Sequence, residues 1–258
     1  MLTSVIAVSA EGPKIAVIID DVGNQLRPGL RAVELPGPIA LAVLPHTPYA
    51  TRLAIAATGK DKEVLVHMPM QAAQASDDPG PGTLHLALTR TQFDQTLAAA
   101  LLSVPGAIGI NNHMGSLLTR DTTAMQWLML AVKSDGRFFF VDSYTTHLSV
   151  GLMIAREHEV PALKRDVFLD VVPTDAGIGL AWNALVAQAN EVGYAVAIAH
   201  PYPATLDFLE RELIDFAGAE LVPLSNLLGY QAIQRSYAEL VGGVPTGSFF
   251  APDPQLVH

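Results

Sequence analysis

Short hydrophobic runs alternate along the chain with longer segments whose apolar residues recur at helical spacing. The short runs predict β-strands, and the segments between them predict amphipathic helices. This repeated order of strand, helix and strand is typical of a mostly parallel sheet with covering helices. Strands are predicted near residues 15–19, 39–44, 63–67, 107–111, 137–141, 163–169, 194–199 and 219–222.

Several helix boundaries carry local signals. Thr89 with Gln92 three residues later predicts a capping box. Thr47 followed by Pro48 predicts a helix whose first residue is the proline. Two further helices, over about 121–134 and 175–192, are predicted to end at the glycines that follow them.

The length and composition favour one domain. A chain of 258 residues, half of them hydrophobic, can bury a substantial core, and β/α barrels of this size commonly form a single domain. We expect a barrel domain over 14–228, an N-terminal arm over 1–13 and an irregular Pro- and Gly-rich tail over 229–258. The loop at 71–88 is long enough to cover a functional site.

Charge and hydropathy exclude two classes of partner. The formal net charge is -10, and no cluster of Lys and Arg is present, so we expect no nucleic-acid binding. No stretch of about 18 uninterrupted apolar residues occurs, so we expect no transmembrane segment. The apolar residues 1–10 lack a basic leader, and both the end of a targeting segment and an ordinary N-terminal arm fit them.

Polar side chains with chemical potential follow five of the predicted strands. In a β/α barrel the carboxyl ends of the strands meet at one mouth, where the chemistry is located. We therefore expect these side chains to share a site. They are Asp20, Asp21, His67, Asn111, Asn112, His113, Asp142, Ser143 and His200.

Each of these residues alone has an ordinary structural explanation. An aspartate after a strand often caps a helix or a turn, and a histidine there is often simply hydrogen-bonded. Their coincidence at one rim favours a shared metal site. Because the chain has no cysteine, any metal must be bound by histidine and carboxylate side chains.

Four motifs resemble those of the divergent polysaccharide deacetylases, and their order and spacing cover roughly residues 14–228. They are IIDDVG at 18–23, VHMPM at 66–70, NNHMGS at 111–116 and AHP at 199–201. That family is related to the NodB-like carbohydrate esterases. The resemblance implies a distorted, incomplete (β/α) barrel of seven or eight mainly parallel strands. It further implies removal of N-acetyl groups from amino sugars with a divalent metal, usually zinc, and an extracytoplasmic location.

The resemblance also implies roles for individual residues. Asp20 and Asp21 match a paired aspartate whose first member is the base and whose second binds metal. His67 matches the first histidine ligand, and we expect His113 from the next strand to supply the second. His200 matches the general acid.

The chain departs from the classical esterases at two motifs. The classical H-x-x-x-H spacing fails, since Gln71 follows His67 and Leu117 follows His113 at that distance. The classical Arg-x-Pro-Tyr motif is also absent, and residues 111–116 take its place. These departures bear on the substrate and on whether the activity is retained.

One carboxylate and two imidazoles leave open positions on a metal for water and a substrate oxygen. We expect Asp20 to accept a proton from attacking water and His200 to protonate the leaving nitrogen. Asp142 is a candidate to orient His200. Asn112, which could bind the oxyanion or a sugar hydroxyl, and Ser116 are candidates to bind substrate.

Two alternatives remain open from the sequence. One is a metal hydrolase that acts on another acyl group or on a phosphoester. The other is a non-catalytic metal- or saccharide-binding protein of the cell envelope. The absent arginine motif favours this second alternative, whereas a base and an acid flanking the metal, Asp20 and His200, argue against it.

Overall fold

The computed structural model describes residues 12–229. The predicted N-terminal arm at 1–13 and C-terminal tail at 229–258 therefore lie outside the described residues, apart from 12, 13 and 229. Within this part of the chain, no helix is both long enough and apolar enough to cross a membrane.

The described part of the chain alternates strands and helices almost throughout. In chain order the elements are β1 (Lys14–Val22), α1 (Leu26–Glu34), β2 (Ala40–Val43), α2 (Ala50–Thr58), β3 (Val64–Met70), α3 (Arg90–Ser103), β4 (Gly109–Met114), a 3₁₀ turn (Leu118–Arg120), α4 (Thr122–Asp135), β5 (Phe139–Asp142), α5 (Gly151–Glu157), β6 (Ala162–Lys164), β7 (Val167–Phe168), α6 (Asp175–Val192), β8 (Tyr194–Ala199), α7 (Pro203–Glu212) and β9 (Glu220–Leu221).

These strands form one parallel sheet that curls into a barrel. The strand order is β6-β5-β4-β3-β2-β1-β8-β7, and β9 pairs with β1. The strands at the two ends of this order, β6 and β7, are separated in the chain by only Arg165 and Asp166. In a flat sheet, eight strands about 4.8 Å apart would place those ends roughly 34 Å apart, far beyond the reach of about 11 Å of this connection. The predicted distorted barrel is thus confirmed, and a flat doubly wound sheet is excluded.

The sixth predicted strand, 163–169, is two short strands. Arg165 N–H donates to Asp142 O on one side, whereas Asp166 N–H donates to Val196 O on the other. The chain thus leaves the β5 edge and joins the β8 edge within two residues. This change of partner, which hydrophobicity does not encode, divides the strand.

Most predicted helix boundaries are confirmed, with one exception. Thr89 and Gln92 form the capping box of α3, and Asp121 caps α4, which ends at the left-handed Gly136. The helix predicted to begin at Pro48 instead begins at Ala50. Thr47 does not cap it, because its hydroxyl donates to Leu44 O.

Alternate residues of the strands face two different cores. Residues on one side of the strands, among them Ile18, Leu65, Val141 and Ile198, form a cluster inside the barrel that also includes leucines of the helical segment 224–229. The residues between them pack with the buried faces of the helices in a second cluster. Side chains that continue the inner series beyond the strand ends therefore point into the mouth of the barrel.

Candidate active site

The floor of the mouth is formed by two buried side chains, Asp20 and His67. Asp20 follows Ile18 on the inner face of β1, and His67 follows Leu65 on the inner face of β3. Each of the two residues is 2% exposed. The His67 Nε2 atom lies 3.5 Å from Asp20 Oδ2.

Asp21 reaches the same site through a local backbone turn. In a regular strand, successive side chains point to opposite faces of the sheet, so the Asp21 side chain would point away from Asp20 and toward the helices. Instead its φ is 57°, in the left-handed region, and the pairing of β1 with β2 is irregular between Ile19 and Val22. Aspartate tolerates this conformation better than most residues. The bulge turns the second carboxylate into the mouth, where its side chain is 30% exposed.

Asp21, His67 and His113 bring three ligand atoms together. Asp21 Oδ1 lies 3.2 Å from His67 Nε2 and 3.0 Å from His113 Nδ1, and the two nitrogens are 3.1 Å apart. Ligands about 2.0–2.1 Å from one tetrahedral zinc would be roughly 3.3 Å apart. The observed triangle is close to that spacing.

The hydrogen bonding of Asp21 Oδ1 supports the same assignment. This atom is buried and has no hydrogen-bond partner of acceptable geometry among the described residues, although two imidazole nitrogens adjoin it. A buried carboxylate oxygen without a partner is costly unless a cation satisfies it. The donor set of one carboxylate and two imidazoles therefore fits a divalent metal held by Asp21, His67 and His113.

The two carboxylates differ in their electrostatics. Burial raises the pKa of Asp20 above its usual range, against the opposing charges of His67 and His200. Burial also acts to raise the pKa of Asp21, but the close approach of His113 and His67 outweighs it and holds this pKa well below its usual range. Asp21 is therefore the permanently ionised member of the pair, and Asp20 is the one suited to accept a proton.

His200 follows β8, which pairs with β1 on the side away from β2 and β3. Its Nδ1 lies 2.9 Å from Asp170 Oδ1, its backbone N–H donates to Asp170 Oδ2, and its Nε2 is 3.9 Å from Asp21 Oδ2. Burial alone would lower the pKa of His200, but the hydrogen bond and charge of Asp170 raise it to about 9. The imidazole ring stacks with the rings of Phe168 and Tyr202. The imidazole of His200 is therefore in its positively charged form at neutral pH. Its Nε2 is the ring nitrogen nearest the proposed metal ligands.

The sequence pattern does not single out Asp170, and it predicts that Asp142 orients His200. On β5, Asp142 comes two residues after Phe140, which packs against the helices. Its side chain therefore points to that outer face of the sheet and not into the barrel. Its carboxylate accepts hydrogen bonds from Tyr144 N and Ser149 Oγ. The expectation that Asp142 orients His200 is therefore wrong. Asp170, two residues beyond β7, lies at the carboxyl end of a strand, and this position was the signal that could have found it.

The two substrate-binding candidates also have other partners. Asn112 comes two residues after Ile110, so it lies on the same, outer face of the sheet. It is 1% exposed. Its amide donates to Met114 O and accepts from Ser143 N, so it holds two loops and does not face the mouth. Ser116 Oγ accepts a hydrogen bond from Ala73 N, which ties the 71–88 loop to the end of β4.

Asn111, which was expected at the mouth but for which no role was predicted, lies at the centre of the site. It is fully buried. Its Nδ2 donates to Asp20 Oδ1 over 2.8 Å, and its Oδ1 lies 2.9 Å from His67 Nδ1. The same Nδ2 is 3.3 Å from Ser143 Oγ. The side chain of Asn111 points into the barrel whereas that of Asn112 points outward, and the sequence does not show which of the two faces inward.

The structure also accounts for the departure from the H-x-x-x-H spacing. Gln71 stands where the second histidine would be, and its Oε1 accepts a hydrogen bond from Leu86 N. Its backbone carbonyl accepts from Leu117 N and Leu118 N. Gln71 thus fixes the loop beside the mouth, while His113 from β4 completes the ligand triangle.

The fold and the site together define a curled parallel β/α barrel with carboxylates and imidazoles grouped at its mouth. The sequence profile of the family described as divergent polysaccharide deacetylase matches residues 17–228. Since this match covers most of the chain, the protein belongs to the divergent polysaccharide deacetylase family. Membership confirms the resemblance seen in the motifs and implies a saccharide substrate.

Two bacterial proteins are similar over most of this chain. An uncharacterized protein of Haemophilus influenzae is 36% identical over 215 residues, which cover 83% of this chain and 76% of that protein. The uncharacterized protein YibQ of Escherichia coli is 33% identical over 225 residues, which cover 86% of this chain and 70% of YibQ.

One solved structure has the same fold. The crystal structure of the uncharacterized protein ATU2773 from Agrobacterium tumefaciens C58 superposes with a TM-score of 0.80 at 20% identity. The superposition covers 84% of this chain and 89% of the other. At this identity the likeness establishes the fold alone.

Proposed function

We propose that this protein is a metal-dependent deacetylase that removes N-acetyl groups from amino sugars of a polysaccharide or cell-envelope glycan. The observation that carries the proposal is the triangle of Asp21, His67 and His113, flanked by the buried base Asp20 and the protonated His200. Membership of the deacetylase family supports the substrate class. A substrate in the cell envelope would place the protein outside the cytoplasm.

Zinc is the proposed metal because one carboxylate and two imidazoles are typical of hydrolytic zinc sites with open positions. When bound, zinc would lower the pKa of a water molecule toward about 7 and polarise the amide carbonyl. The side of the triangle formed by Asp21 and His113 is partly exposed. We propose that water and substrate approach from there.

The proton transfers follow from the positions of Asp20 and His200. Water forms a bond to the acyl carbon and gives one proton to Asp20, whose raised pKa suits it to hold that proton. The C–N bond then breaks, and the proton on His200 Nε2 passes to the leaving nitrogen. The products are acetic acid, which ionises to acetate in water, and a free amino sugar; Asp20 then releases its proton and His200 regains one from solvent. Asp170 stabilises the charged imidazole before the transfer and fixes its ring.

The test is acetate release by the full chain loaded with zinc. Acetylated chito-oligosaccharides and peptidoglycan fragments are incubated with the wild type, the metal-stripped protein and Asp20→Asn. We expect acetate and the matching loss of acetyl mass from the zinc-loaded wild type alone. If no acetylated sugar is turned over faster than by Asp20→Asn, the deacetylase proposal fails. Saccharide binding without turnover would then support the non-catalytic alternative.

A further inference from the structure

The side-chain amide of Asn111 is within hydrogen-bond distance of both the proposed base and a proposed metal ligand. It lies between Asp20 and His67, with separations of 2.8 Å and 2.9 Å. The register of the sheet fixes this contact, since Asn111 is the direct partner of His67 in the pairing of β3 with β4. No solvent reaches the residue, so water cannot replace either contact.

The two ends of the amide have opposite hydrogen-bonding character, and this determines its orientation. With Asp20 ionised, as its role as the base requires, the NH₂ group must face Asp20, because a carbonyl there would meet a carboxylate that has only acceptors. The carbonyl of Asn111 therefore faces His67 Nδ1, which must carry the ring proton. The lone pair of His67 is then on Nε2, which lies 3.2 Å from Asp21 Oδ1 and 3.1 Å from His113 Nδ1.

We propose that Asn111 is a positioning residue that sets the metal-binding tautomer of His67 and holds the carboxylate of Asp20 as a hydrogen-bond acceptor. This inference rests on the metal site of the proposed function. One amide thus couples the ligand to the base. The partner of a ligating imidazole is often a carboxylate, and here a carboxylate would repel Asp20. A neutral amide is an acceptor toward His67 and a donor toward Asp20 at once.

Two substitutions at this position separate the two contacts. Asn111→Leu has a similar volume and makes neither hydrogen bond. We expect it to weaken zinc affinity by about 10–100-fold, the usual effect of removing the partner of a ligating histidine. Asn111→Asp keeps an acceptor for His67 but places a like charge beside Asp20. We expect it to bind zinc within about threefold of the wild type and to lose turnover.

Zinc affinity is measured by competition with a chromogenic chelator, and the His67 tautomer by ¹⁵N chemical shifts of the metal-free protein. The matched control is Asn112→Ala, at the adjacent buried amide whose partners are backbone groups. We expect this control to lower the free energy of unfolding and to leave zinc affinity within about threefold. Circular dichroism and urea unfolding establish that each variant is folded.

Zinc affinity and tautomer do not depend on any substrate, so they separate this inference from the deacetylase proposal. Loss of zinc by Asn111→Leu in a protein without deacetylase activity would support the positioning role and refute only the reaction. Wild-type affinity in folded Asn111→Leu would overturn the inference. If that variant does not fold, Asn111→Asp decides, and a loss of more than tenfold in zinc affinity overturns it. A wild-type chain that binds no zinc overturns both proposals.

Discussion

Two adjacent aspartates have different surroundings at the mouth of the barrel, and we propose different roles for them on that basis. Asp20 lies on the inner face of β1 beneath the site and is 2% exposed. Asp21 occupies a left-handed turn at the strand end and contacts both proposed histidine ligands. Their neighbours therefore predict distinct consequences for the same chemical substitution.

Replacing each aspartate by asparagine separates metal binding from turnover. Asp21→Asn should weaken zinc binding by roughly 100-fold or more, since loss of even an indirect partner of a metal costs about 10–100-fold. Activity should fall with it. Asp20→Asn should retain zinc and lower kcat by roughly 100-fold or more, the contribution of a general base. Metal analysis after dialysis and acetate release measure the two effects. Equal zinc loss in both variants would contradict the assignment.

The pairing of Asp170 with His200 predicts a second difference between carboxylates. Asp170→Asn should lower kcat by about 10–100-fold with little change in KM, because His200 loses the partner that orients it. The pKa of His200, raised to about 9 in the wild type, should fall in NMR titrations of this variant. Asp142→Asn is the control, since its contacts are with Tyr144 and Ser149. A larger kcat loss at Asp142 would restore the role first assigned to it.

At the scale of elements, Asp142 joins β5 to the start of α5. Its carboxylate accepts from Ser149 Oγ, and α5 approaches so closely that a Cβ added at Gly151 would lie 2.7 Å from Asp142 Oδ2. Burial raises the pKa of Asp142 above its usual value, although the bonds from Ser149 and Tyr144 oppose the shift. The ionised carboxylate is thus held in an environment that favours its neutral form.

This environment predicts a pH-dependent stability. A carboxyl whose folded pKa is raised contributes stability that is complete below its unfolded pKa of about 3.9 and is lost as pH rises through the folded pKa. Asp142→Asn has no carboxyl at this position to ionise, so its free energy of unfolding does not fall for this reason as pH rises. Its free energy of unfolding relative to the wild type should therefore increase from pH 4 to pH 7, by about 1.4 kcal/mol for each unit of raised pKa. Urea titrations at several pH values measure the difference, and a constant difference would contradict the prediction.

At the scale of the whole molecule, Arg165 lies where the barrel comes back on itself. It is 1% exposed. Its Nε donates to Ser143 O and its Nη2 to Tyr144 O, and its guanidinium lies 3.9 Å from the centre of the Phe168 ring. One side chain thus links the end of β5 to the two short strands that close the sheet.

Arg165→Lys should show how much this junction depends on a planar group. Lysine keeps the charge but cannot reproduce the fork of donors or the stacking on Phe168. Buried carbonyls would lose their partners, and we expect a destabilisation of about 2–4 kcal/mol in urea unfolding. Arg137→Lys, whose arginine is paired with Asp135 on the surface, is the control and should leave the unfolding midpoint unchanged. An equally small effect at Arg165 would refute its role in closing the barrel.

The sequence by itself determined the features that depend on neighbouring residues. Thr89 and Gln92 form a capping box because both partners lie within one turn of helix. The hydrophobic runs located the strands, and the polar residues after them located the mouth. The three proposed metal ligands, the proposed base and the proposed acid were all singled out in this way, because parallel strands bring their carboxyl ends to one rim.

Tertiary structure alone decided which side chains at those strand ends face inward. In a parallel sheet covered on both faces, strand segments such as 138–141 are hydrophobic at every position. The sequence therefore does not show which residues face the inside of the barrel and which face the helices. The face of the sheet on which a residue lies places Asn111 inside the site and Asn112 outside it, and it also places Asp142 outside the site. The partner of His200 and the division of the sixth strand depend on contacts between segments about 30 residues apart. These contacts form only when β5, β7 and β8 come together in the folded protein, and no local pattern encodes them.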